Sequence, residues 1–325
     1  MSMVKKDFNP FLYHSAILQD LFRDAVNHKN PAIWLYNHKA RTSLFMLEAL
    51  TRLHSKAFEA KFFQKWNRRF KKLEDLFGVM DEYIQPQREL KKNRGIDKLI
   101  REFFSTQSEK ATNKCNKRLN DKGWLNSKIS SFEKKIKRLD ITYDDAHRNV
   151  LRDALRCEPR EVLEFVRSLN FKFEDIEQVH EVRRKLRWLS MYAAAFRGLI
   201  QLEKSGKKHS FSKNYLTQEV LNSPFNKLEL KPDGIEIILY DREKFMALSW
   251  LISELGNIKD KGILHKQLSD AVYVDTEYSR KEADEKANAI LKVKGRLQAE
   301  LLKRASEYTR AALEKDKILD NLIIE

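Results

Sequence analysis

Within Val179–Phe196, VHEVRRKLRWLSMYAAAF, His180, Arg183, Arg184 and Arg187 fall at i, i+3, i+4 and i+7. On a helix that spacing gathers one imidazole and three guanidiniums into a single stripe. Guanidiniums stay charged at any physiological pH and offer a planar fork of donors, so such a stripe presents cations to oxyanions. It supplies no nucleophile and no paired carboxylates, so binding is expected here rather than catalysis. An imidazole one turn from an arginine is also a common structural donor to a carbonyl or carboxylate. The structural and anion-binding readings of His180 therefore stand side by side.

A weaker copy lies at Asn37–Leu47, NHKARTSLFML. Both obey His–x–small apolar–Arg–x–x–Leu: His38, Ala40, Arg41 and Leu44 against His180, Val182, Arg183 and Leu186. Each is followed by a segment with a glycine and, four residues on, an acid: Gly78 with Glu82, and Gly256 with Asp260. The same order twice reads as a tandem duplication.

These residues resemble the CHAD domain (conserved histidine α-helical domain) family. There each half opens a long helix with His-x-x-Arg and further cations, and later carries a Leu-Gly-x-x-x-Asp turn. The likeness spans roughly Phe8 to the C-terminal helix. It is fuller in the second half, where Leu255, Gly256 and Asp260 fit the turn. The first half departs from it: Phe45, Met46 and Glu48 stand where arginines are usual, and Asp81–Glu82 replaces an Arg–Asp pair. The resemblance implies an all-α fold of two pseudo-symmetric bundles, here 1–140 and 141–325. It also implies a non-enzymatic role, binding inorganic polyphosphate on a basic face between the halves, with no cofactor. The residues it points to are His38, Arg41, His180, Arg183, Arg184 and Arg187, supplemented by Lys65, Arg68 or Arg69 of the next basic helix.

The elements that must position these groups follow from composition and periodicity. Nine glycines and six prolines in 325 residues, with 34% charged residues, favour long helices over a loop-rich or all-β fold. Sixty-three Lys and Arg against 47 Asp and Glu give a net charge of +16, suited to a polyanionic partner. Cys115 and Cys157 have no CxxC or His-rich context and suggest neither a disulfide framework nor zinc. The start MSMVKKDFNP lacks the apolar core of a signal peptide, and no apolar run approaches about 18 residues, so a cytoplasmic protein off the membrane is expected.

Apolar seams predict helices over Pro10–Asn27, Pro31–His54 and Phe58–Phe77, a turn from Gly78 to Pro86, then helices at Arg88–Ser105, Ser108–Asn120 and Leu125–Leu139. A boundary is expected at Asp140–Tyr143. Shorter helices at Asp144–Arg156 and Pro159–Leu169 lead to the arginine helix. In the second half, Glu203–Ser212 reads as a polar loop. Leu228/Leu230 and Ile235/Ile237/Leu239 alternate about Pro232-Asp233-Gly234 as a β-hairpin inserted near 203–241. Helices from Asp241 to Gly256, from Asp260 to Val272 and from about Thr276 to Asp320 complete the chain.

No P-loop, GxGxxG, GxSxG, HExxH or DxDxDG pattern occurs, and no histidine has a partner at metal-ligand spacing. Two alternatives to polyphosphate remain. One is a scaffold that has lost its ligand and binds a protein at the Leu228–Tyr240 hairpin edge. The other is nucleic-acid binding by the lysine-dense helices, without a recognition motif.

Overall fold

The computed structural model describes residues 8–91, 96–203, 209–274, 278–293 and 295–324. Among them the fold is all-α, with one small two-stranded sheet in the second half. The first helices begin where local chemistry dictates. α1 (Pro10–Ala25) and α2 (Pro31–Asn37) each carry proline in the first turn, and the preceding Asn9 and Asn30 side chains accept from Leu12 N and Ile33 N. α2 stops at His38, because Lys39 takes a left-handed conformation (φ 58°) before α3 (Ala40–Phe58) begins.

α4 (Lys61–Lys91), α5 (Lys98–Asp121), α6 (Lys128–Leu139), α7 (Asp145–Ser168) and α8 (Ile176–Ala195) follow. α7 and α8 are capped by Asp144 and Asp175, which accept from His147 N and Gln178 N. β1 (Ile200–Glu203), the short α9 (Ser212–Tyr215) and α10 (Gln218–Asn222), and β2 (Ile238–Asp241) lead into α11 (Arg242–Val274). α12 (Arg280–Ile290) and α13 (Leu297–Arg310), the latter running into a π-helical turn at Ala311–Lys315, end the chain.

Several boundaries differ from the periodicity reading. The turn expected at Gly78–Pro86 does not form: both residues lie inside α4. Glycine costs a helix about 1 kcal/mol relative to alanine. That is too little to break one whose seam of Phe70, Leu73, Phe77, Met80 and Ile84 is buried on both sides of it. Gly256 likewise sits inside α11, so the helices expected on either side of it are one. The two helices expected at Arg88–Ser105 and Ser108–Asn120 give way to α4 and a single α5, and α7 runs through Pro159. The long last helix is instead two helices and a π turn. Most of the loop expected at 203–212, residues 204–208, and the start of that last helix, 275–277, lie outside the described residues.

The sheet is where expected, but it is not a hairpin. β2 pairs in parallel with β1, Ile200 opposite Ile238 and Glu203 opposite Asp241. Lys227–Lys231 forms no strand, since Leu230 points to solvent (90% exposed) rather than into a sheet face. Backbone at 229–230 instead packs against the start of β1. The Leu230 carbonyl occupies the space beside Gly198 (φ 86°) that any side chain would fill, and Gln201 Nε2 donates to Glu229 O (2.9 Å). The other edge of β2 is taken by the C-terminal segment, through a Tyr240–Ile323 bridge and Asp241 N donating to Leu322 O (2.8 Å). β2 therefore offers no free edge for a partner strand.

One apolar core runs through both halves, from Phe11 and Leu18 to Leu319 and Ile323. A smaller one joins the end of α4 and the start of α5 to the end of α11 and to α12, around Phe104 and Leu268. Polar side chains bridge the halves where the core must accommodate them. Arg52 donates to Tyr192 OH (2.9 Å) and Glu158 (3.3 Å), while Lys56 joins Glu158 and Glu161, tying α3 to α7 and α8.

Two histidines are held neutral by burial. His14 Nε2 donates to Ala195 O (3.0 Å) and its pKa falls to about 4. His54, fully buried, bonds Leu50 O through Nδ1 and turns Nε2 toward His147 Nε2 (3.3 Å); burial, then His147, lowers its pKa to about 3. In the unfolded chain both titrate near 6.5. The stability they contribute is therefore present above pH 6.5 and is lost as pH falls from about 6.5 toward 4 and 3. Imidazole NMR signals of His14 and His54 should not titrate above pH 5, and unfolding free energy should decline from pH 6.5 to 4.5. Titration of either ring near 6.5 in the native state would contradict this placement.

Candidate anion-binding cleft

α3, α4, α8 and α11 enclose a cleft of about 340 Å³. Arg41, Lys71, His180, Arg183, Arg184, Arg187 and Lys259 line it, together with Glu48, Glu74, Asp75, Asp81, Glu82 and Asp260. Cations and acids thus both line the wall, and the groups lacking a partner decide what the cleft can bind.

The two arginines that head the repeated motif meet their glycines in the same way. A Cβ on Gly78 would stand 2.8 Å from Arg41 Nη2, and one on Gly256 would stand 2.9 Å from Arg183 Nε. At each glycine a guanidinium lies close against the bare helical backbone. The next contacts differ. One turn before Gly78 is Glu74, which accepts from Arg41 Nε at 2.7 Å, and Asp81 accepts from Arg41 Nη1 at 3.3 Å. One turn before Gly256 is Ile252, and Arg183 Nε donates only to its backbone carbonyl (3.1 Å). Arg41 is neutralised; Arg183 is in no ion pair among the described residues, and burial lowers its pKa against the opposing charge of Asp260 nearby.

Arg187 is likewise in no ion pair among the described residues. Its Nε is buried without a hydrogen-bond partner, and its charge lies 4.2 Å from the centre of the Phe45 ring. Burial, reinforced by Arg183, lowers its pKa to about 10, which leaves it protonated at neutral pH. Phe45 also lies under Arg41 (5.1 Å), so one ring serves as a π-face for an arginine of α3 and an arginine of α8. Arg184 lines the cleft but is held by both oxygens of Glu181 (2.8 Å each). His180 lines it half-buried, and burial, then Lys259 and Arg183, lowers its pKa.

Other expected residues lie elsewhere. His38 caps α2 outside the cleft, its Nδ1 donating to Trp34 O (2.8 Å) and its ring stacked on Trp34 at 3.8 Å. The left-handed Lys39 separates it from α3, so it cannot take the place that His180 holds inside α8. Lys65 and Arg68 are exposed nearer the start of α4, before the stretch from Lys71 to Glu82 that lines the cleft, and Arg69 lies over Trp66 (4.6 Å); none of the three lines the cleft.

Sequence reasoning named Glu82 and Asp260 with the motif and Glu48 and Asp81 as departures from it, but missed Glu74 and did not place any of these acids against the arginines. Glu74 carries a usable signal, four residues before Gly78 on the face that meets Arg41. Glu48 carries none, because an acid on an apolar seam does not reveal what it faces. Glu48 is buried, its Oε2 has no hydrogen-bond partner, and burial followed by Glu74 raises its pKa to about 8. At neutral pH it is mostly protonated, which removes one negative charge from the cleft. Among the described residues no cluster of three metal-ligating side chains occurs, and no helix is long and apolar enough to cross a membrane.

Fold and site together define an all-α protein with a lopsided cationic cleft: two guanidiniums from α8, in no ion pair among the described residues, face a wall where Arg41 is neutralised. No family model, curated protein or solved structure matches the chain.

Two substitutions probe this geometry. Gly256→Ala should leave the melting temperature unchanged or higher, since alanine gains about 1 kcal/mol of helix propensity while only a flexible head group must move. It should weaken anion binding several-fold by displacing Arg183, as titration calorimetry would show; unchanged affinity would mean that this placement of Arg183 is immaterial. Glu48 has a folded pKa above its unfolded one, so the stability linked to it is full below about pH 4.5 and is lost as pH rises toward 8. Glu48→Gln should flatten that limb in denaturant unfolding between pH 5 and 9.

Proposed function

We propose that the chain is a non-enzymatic polyanion-binding protein, a divergent CHAD-like member, whose cleft takes inorganic polyphosphate. The observation that carries this reading is the pair Arg183 and Arg187, both partly buried, both without a carboxylate partner, and both opening into one cleft. Desolvated guanidiniums left unpaired are unfavourable until an oxyanion supplies the missing charge and hydrogen bonds. Phosphate meets the guanidinium fork bidentately. A cleft of about 340 Å³ admits a thin phosphate chain and excludes a nucleic-acid duplex. The repeated Arg–Gly crossing supports the CHAD-like reading, since it recurs at both copies of the motif.

Long-chain polyphosphate and an RNA of equal charge, titrated at fixed salt, test this proposal. Polyphosphate should bind more tightly, and Arg183→Ala/Arg187→Ala should weaken it at least about 10-fold, at about 1.5–3 kcal/mol per charge-assisted hydrogen bond. Arg41→Ala should weaken it far less, because Glu74 and Asp81 already neutralise that side chain. The double variant should stay folded, since Val182, Leu186 and Leu189 of the buried seam are untouched. Equal binding of both polymers, unaffected by the double substitution, would remove the proposal. Failure to bind either at the cleft would favour a scaffold that has lost its ligand.

A further inference from the structure

Most of the net charge of the chain lies in three stretches, of which only Lys71 lines the cleft. Residues 61–72, 110–122 and 127–139, on or beside α4, α5 and α6, hold sixteen lysines and arginines against two acids, Asp121 and Glu133, in a protein of net charge +16. Among the described residues only one of the sixteen, Lys71, is in an ion pair, with Asp75 at 2.7 Å. Elsewhere the chain is close to neutral.

A buried aromatic cluster brings these stretches together. Trp66 of α4 packs on Trp124 of the α5–α6 connection (6.4 Å) and on Phe132 of α6 (4.9 Å), and Phe70 touches both. Lys65 and Arg69 flank Trp66 in sequence, Lys122 lies two residues before Trp124, and Lys128 lies one turn before Phe132. Their heads therefore share one surface. Burial followed by Arg69, Arg118, Lys122 and Lys65 lowers the pKa of Lys128, so these cations repel one another. Lys128 also stands in the first turn of α6, at the positive end of the helix dipole, where no acid offsets it. The arrangement is unfavourable until an extended anion covers it.

We propose that this surface binds the phosphodiester backbone of double-helical nucleic acid without reading its sequence, at a site separate from the cleft. The aromatic residues of the cluster face inward: Trp66, Trp124 and Phe132 are all buried, so none is available for the base stacking on which single-strand binding relies. Of the large exposed apolar side chains, only Leu139 falls within the three stretches, which leaves no apolar anchor for a bilayer. What remains is a field of Lys and Arg heads, the feature that phosphate-backbone binding requires. α6 alone, at 12 residues, is about 18 Å long, enough to follow several phosphates of a duplex carrying one charge per about 1.7 Å.

The test measures binding of the full chain to a 20-base-pair DNA duplex of arbitrary sequence by fluorescence anisotropy across a salt series. Lys65→Glu/Arg69→Glu/Lys128→Glu should weaken binding at least about 30-fold near 100 mM salt and lower the salt slope by about two to three. A control with the same change in net charge, Lys213→Glu/Lys231→Glu/Lys281→Glu, should change affinity less than about threefold. Arg183→Ala/Arg187→Ala should leave duplex binding intact, which keeps this inference independent of the cleft reading. Circular dichroism confirms that each variant is folded. Equal losses from the surface and control reversals would overturn the proposal, as would loss on mutating the cleft. A single strand of the same length binding more tightly than the duplex would also overturn it, as would phosphatidylserine vesicles displacing the duplex at equal charge.

Discussion

A guanidinium held close against a helical glycine, at Gly78 and again at Gly256, is the interaction around which the cleft is arranged. Arg41 needs the bare backbone of Gly78, and Arg183 needs that of Gly256. Each crossing lies where a motif helix meets its partner, α3 against α4 and α8 against α11. The apolar seams then zip up on either side of it. Any other residue at those two positions would push the arginine head away. Two mid-helix glycines in a glycine-poor chain thus have a steric reason, and tight turns have no part in it.

From that shared geometry the halves diverge through single positions. Glutamate one turn before Gly78 neutralises Arg41; isoleucine one turn before Gly256 leaves Arg183 with a carbonyl alone. Aspartate three residues after Gly78 adds a second bond to Arg41, whereas the corresponding Lys259 pairs with its own neighbour Asp260. Phe45 gives Arg187 a π-face without neutralising it, and Glu48 stays protonated because burial disfavours its charge. The cleft is cationic on one wall because its acids are spent on the other.

Electrostatics are divided spatially as well. The cleft is nearly balanced, six lysines and arginines against six carboxyls of which Glu48 is mostly protonated, and Arg183 and Arg187 are in no ion pair among the described residues. The faces of α4, α5 and α6 that carry residues 61–72, 110–122 and 127–139 hold almost the whole net charge, with almost no internal pairing. Compact, desolvated cations favour a ligand that enters and is enclosed; dispersed, solvated ones favour a long partner that lies on the surface. The composition of the protein joins these two fields in a single number, and only their placement separates them.

The all-α class was legible because helical seams are a local property: three- and four-residue steps of Phe, Leu and Val show it without reference to the rest of the chain. The His-x-x-Arg repeat and the matched Gly spacing were legible for the same reason, and they named Arg41, Arg183, Arg184 and Arg187, all of which line the cleft. Periodicity stopped the helices too early at Gly78 and Gly256, since the compensation for glycine came from an arginine 37 and 73 residues earlier. It paired β2 with its neighbour in sequence when the partner strand lay 38 residues upstream, because alternation marks a strand and leaves its partner unspecified. The resemblance grouped His38, Lys65, Arg68 and Arg69 with the site, although a left-handed residue separates His38 from α3 and the other three precede the part of α4 that lines the cleft. The sequence by itself determined which residues are helical, which are cationic and which repeat. Tertiary structure alone decided which cations keep their charge, because neutralisation depends on the side chain that reaches across from another helix.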